Sequence, residues 1–91
     1  MAANQVQHQI VIETMETMKR IVSDQAERHA EAKPWQSWHR IVEIEVDAAE
    51  RRLLELSQEL YTEGNAHGAA LVAALIENWL PVLARELRVR H

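Results

Sequence analysis

The residues whose types and spacing best suit chemistry are His29, His39, Glu43 and Glu45. His39 and Glu43 stand four apart, so a helix carries the imidazole and the carboxylate on one face, within reach of one cation. His29, with Gln25, interrupts an apolar stripe shortly before them. A metal or small-ligand site built from His29, His39 and Glu43, with Glu45 on its flank, is therefore one reading. Against it, carboxylate-bridged di-metal bundles use paired Glu-x-x-His elements, and this chain has none. A histidine packed against an indole and holding one hydrogen bond explains the same residues without an ion, so no cofactor is expected.

Other reactive side chains are thinly spread. The chain has no cysteine, which excludes thiol catalysis, thiolate metal sites and disulfides. Ser23, Ser37 and Ser57 have no evident His–acid company, and the two glycines form G-x-x-x-G rather than a phosphate-binding loop. Asn78 is expected on the inner side of its helix beside Pro81, satisfying a carbonyl that the proline leaves without a donor. His8 and His67 both begin helices that run the same way and are expected to meet at one end. Arg85, Arg88, Arg90 and His91 crowd the other end, but no aromatic residues are interleaved with them. They read as cations at a helix C-terminus, and nucleic-acid contact is not expected. No enzyme activity is expected.

The elements that position these residues are long helices. The 91 residues are 47% hydrophobic, with only two glycines and two prolines to make turns, which predicts one domain over 1–91 built from a few long elements. Formal charge is −4, which disfavours general binding to nucleic acid or anionic membranes. The N-terminus lacks the regions of a signal peptide. The apolar run Ala69–Ile76 falls well short of the ~20 residues that span a bilayer. A soluble, cytoplasmic protein is the expectation.

A first helix is predicted over about 4–32, with Val11, Met15, Met18, Ile21 and Val22 in one stripe. Glu16–Arg20 and Asp24–Arg28 are candidate i,i+4 pairs on its polar side. Lys33-Pro34 ends it. A second helix, 34–63, carries the clearest periodicity: Trp35, Trp38, Val42, Val46, Ala49, Leu53, Leu56 and Leu60 fall in one narrow strip, close to a coiled-coil seam. Gly64 should close it in the left-handed conformation, and Asn65 should cap the next helix. The third, 66–90, is apolar over roughly half its circumference and should kink near Pro81.

Three helices and two short turns predict an all-α, up-down-up antiparallel bundle. The third helix asks for more cover than its two companions give, so a homo-oligomer is expected, a two-fold dimer by preference. Ile41, Ile44 and Leu54 lie off the second helix's seam, and Val72, Ile76, Leu80 and Leu83 spread round the third. These seven form the expected interaction surface. The leading reading is thus a small interaction module, an adaptor, inhibitor or chaperone, that binds a larger protein partner. A non-catalytic subunit of an enzyme complex is the other alternative to the ligand site.

Overall fold

The computed structural model describes the backbone of residues 2–90 and the side chains of residues 8–90. Four helices follow one another: α1 (Ala2–Ala32), α2 (Trp38–Thr62), α3 (Ala66–Asn78) and α4 (Leu80–Val89). No strand occurs among the described residues. The third helix of the sequence reading is thus two, with Trp79 between them. Pro81 lacks the N–H that would bond to the carbonyl of Glu77, so the hydrogen-bond ladder lapses there.

The turns follow from a handful of residues. The backbone N–H of Gln36 donates to the Lys33 carbonyl at 3.0 Å, closing a β-turn over 33–36. Pro34 occupies its second position, where a fixed φ is an advantage. Ser37 then caps α2, its hydroxyl accepting from the Arg40 N–H at 3.2 Å. The second helix consequently starts at Trp38, four residues later than its apolar periodicity indicates. At its other end Gly64 adopts φ +88°. The N–H of Gly64 reaches the Tyr61 carbonyl and that of Asn65 the Leu60 carbonyl, the paired bonds of a Schellman stop. Asn65 then caps α3 by accepting from the Gly68 N–H at 2.9 Å, so Gly64 and Asn65 act as their residue types foretold.

One apolar core joins all four helices. Met18 and Val22 of α1 meet Val42, Ala49 and Leu53 of α2, Val72 and Leu75 of α3, and Leu80, Leu83, Ala84 and Leu87 of α4. The α2 seam is correct in outline: Trp38, Val46, Leu56 and Leu60 pack half-buried against this core, whereas Trp35 lies in the turn, 78% exposed. Two long-range hydrogen bonds fix the course of the chain. The Trp38 indole N–H donates to the Leu87 carbonyl at 2.6 Å, and the Ser57 hydroxyl donates to the Ala69 carbonyl at 2.9 Å. The start of α2 therefore lies beside the end of α4, and the end of α2 beside the start of α3. Gly68 and Ala69 are buried at the second of these contacts, where small residues let two backbones approach.

Four of the seven residues expected to form an interaction surface are buried, three of them in this core. Ile41, Val72, Leu80 and Leu83 are all buried. The reason is that α2 packs against α1, α3 and α4 together, so its buried arc is wider than a two-helix seam and takes in Ile41. Ile44 and Ile76 are half-buried, and Leu54 is 47% exposed. By length and composition alone the run Ala66–Val89, 24 residues with a mean hydropathy of 1.3 in its best window, is apolar enough to cross a membrane. Val72, Leu75, Leu80, Leu83, Ala84 and Leu87 of this run belong to the core just described, and 33% of that window is buried.

Candidate interaction site

The histidine end of the molecule does not gather a set of metal ligands. His29 sits near the end of α1, half-buried, with its Nδ1 3.3 Å from Glu45 Oε1 and its Nε2 2.6 Å from Gln36 Oε1. His39 and Glu43 are exposed, and Glu43 is taken by Arg40, whose guanidinium donates to it at 2.8 Å. Among the described residues no three His, Asp or Glu side chains come together as a cation site. What forms instead is a hydrogen-bonded histidine that ties α1 to the turn and to α2. A carboxylate oxygen only accepts, so in the contact with Glu45 the ring Nδ1 is the donor. Glu45, a possible fourth member of the expected ligand site, is instead the hydrogen-bond partner of His29, because the turn at 33–36 brings α2 back with that residue facing α1.

The remaining polar candidates are placed as follows. Asn78 is exposed rather than inward, and its amide donates to the Ala74 carbonyl at 3.1 Å, not to that of Glu77. His8 and His67 are both exposed. Arg85, Arg88 and Arg90 are exposed along the end of α4, and His91 lies outside the described residues. The pairs Glu16–Arg20 and Asp24–Arg28 do not close. Among the described residues the acid–base contacts within 4 Å are the Arg40–Glu43 ion pair and His29–Glu45, an ion pair only with a protonated imidazole.

The uncovered apolar surface lies at the opposite end, where α2 meets α3. Ser57, Gln58, Tyr61 and Thr62 of α2 face Ala66, Ala69, Ala70 and Ala73 of α3 across an open groove of about 580 Å³. Tyr61 is 69% exposed. Leu54 stands seven residues before it, on the same face of α2. On α3, positions 66, 70 and 73 repeat at helical spacing and carry only methyl groups, so the groove floor is shallow and smooth. The Ser57–Ala69 hydrogen bond holds the two walls together, which makes the groove a preformed feature.

Beside it lies a second concavity of about 420 Å³, formed by Glu55, Gln58, Glu59, Thr62 and Glu63. Gln58 and Thr62 belong to both, so the apolar groove and the acidic one are continuous. Leu54 and the acidic stretch of α2 that ends at Glu63 are legible in the sequence as a partner-facing surface, but the groove beside them is not. The signal was present as three glutamates spaced four apart next to an alanine-rich segment, but only the packing of α3 on α2 sets them side by side. No protein-family model matches the chain, and no curated protein and no solved structure matches it.

Proposed function

We propose that this chain is a protein–protein interaction module: an up-down-up helical bundle, without catalysis of its own, that offers the face formed by α2 and α3 to a larger protein. The observation that carries this reading is the open groove between Tyr61 and the Ala66–Ala73 segment. A preformed furrow between two helices, lined by methyl groups and by hydroxyl and amide side chains, has the form in which a partner's helix docks. A regulatory or inhibitory role in the cytoplasm is consistent with an acidic module of this size, and so is service as a non-catalytic subunit.

A homodimer is the second reading, favoured by the exposure of Leu54 and Val82. A two-fold dimer is the commonest way for a small chain to cover such residues. Isolation of the tagged chain from its own producing cells tests the first reading when run beside an Ala70→Arg variant. A partner recovered with the native chain and lost with the variant supports it. A partner recovered equally with both places the contact elsewhere. Sedimentation equilibrium of the purified chain tests the dimer.

A further inference from the structure

We infer that the occupant of the α2–α3 groove is a cationic amphipathic helix of the partner protein. This rests on the interaction reading above and adds the chemistry of the bound segment. Shape argues for a helix. The groove runs between two helices, with Ser57, Gln58, Tyr61 and Thr62 of α2 on one side and the low alanine surface of α3 on the other. A third helix laid along them would seat residues spaced i, i+3, i+4 and i+7, the spacing by which helices dock in grooves. Alanine methyls on the floor allow that helix to approach closely.

Charge argues for a cation. The stretch 53–84 contains Glu55, Glu59, Glu63 and Glu77 and not one lysine or arginine. All ten of the chain's Lys and Arg residues lie outside that stretch. Glu55, Glu59 and Glu63 form a line spaced four apart, and none of them belongs to either ion pair of the described residues. Like charges at that spacing destabilise a helix. Glu59 and Glu63 also sit at the C-terminal end of α2, the negative end of its dipole, and no basic residue stands in its last turn. The free chain therefore presents a line of carboxylates beside the groove, and a helix with lysine or arginine along its flank complements it.

A second copy of the chain fits less well. A two-fold contact through the groove would set each line of glutamates against its equal. A head-to-tail contact from the basic end, with Arg85, Arg88 and Arg90, runs on as a filament unless its rotation closes a ring. Phosphate-bearing surfaces, whether nucleic acid or anionic lipid, are repelled by the same carboxylates.

The test uses the full chain and two labelled helical peptides of about 18 residues, roughly five turns. Both carry leucine on one face; one has lysine on the other and one has glutamate. Anisotropy titrations are run at about 50 mM and about 500 mM salt, which shortens the screening length several-fold. The lysine peptide should bind, and about tenfold or more weakly at the higher salt. The glutamate peptide should not bind. Ala70→Arg, which fills the groove and repels the ligand, and Glu59→Lys should each weaken binding by about tenfold or more. Both positions are exposed, and unchanged circular dichroism verifies their folds. No binding of the lysine peptide, or equal binding by all three chains, overturns the inference. So does a native chain that dimerises or polymerises through the groove, shown by loss of self-association in Ala70→Arg. If the lysine peptide fails while a cellular partner is still lost in Ala70→Arg, the interaction reading stands and the cationic helix is the wrong ligand. If neither responds, both fall.

Discussion

The indole N–H of Trp38 reaches across 49 positions of sequence to the backbone carbonyl of Leu87, at 2.6 Å. It joins the first residue of α2 to the last turn of α4, where intrahelical donors run out. The Arg90 N–H also reaches that carbonyl, at a long 3.3 Å. Trp38→Phe keeps an aromatic ring and removes the donor. It should cost about 1 kcal/mol, seen as a fall in melting temperature of roughly 4–8 °C. A variant as stable as the native chain would show that the bond contributes nothing.

Leu53 and Leu54 are neighbours with opposite surroundings. Leu53 is sealed in the core while Leu54 is 47% exposed beside the groove. Leu53→Ala should lose about 2–5 kcal/mol, the range for truncating a buried leucine. Leu54→Ala should stay within about 0.5 kcal/mol. Urea denaturation of the two variants reads the difference directly, and similar losses would mean that α2 is rotated from the orientation described.

Gly64 stands at φ +88° with no atom near the place a side chain would occupy. Gly64→Ala should therefore destabilise by about 1 kcal/mol through backbone conformation alone. Gly64→Asn should cost less, since asparagine tolerates the left-handed region better. Equal losses in chemical denaturation would point to crowding rather than conformation.

Glu59→Lys should make the free chain slightly more stable, by about 0.5 kcal/mol at low salt. It turns two repulsive i,i+4 neighbours, Glu55 and Glu63, into attractive ones and puts a cation near the end of α2. A change that improves stability while impairing binding is what a surface kept for a partner should show. A destabilised variant would mean that the glutamate line supports the fold in some other way.

Much of the fold could be read from residue types. Gly64 and Asn65 have strong local preferences, so the second turn falls where they indicate, whereas Pro34 ends α1 but belongs to the turn and not to α2. Val42, Ala49 and Leu53 repeat at the helical period, so the inner face of α2 was legible too. Ile41, Val72, Leu80 and Leu83 were misplaced because periodicity in one helix does not tell how many neighbours it has. The histidine end was half legible: His29 stood out, but Gln36 and Glu45 join it only through the course of the turn. The groove was illegible for a related reason. Alanine at 66, 70 and 73 and glutamate at 55, 59 and 63 are ordinary helix formers until two helices are set side by side.

Site-specific photo-crosslinking in the producing cells addresses the proposed contact most directly. A benzophenone side chain replaces Ala70 in the groove or, as control, Asp24 on the exposed side of α1. The account predicts a discrete adduct with another protein from position 70 and none from position 24. Adducts from both positions alike, or from neither, would contradict it.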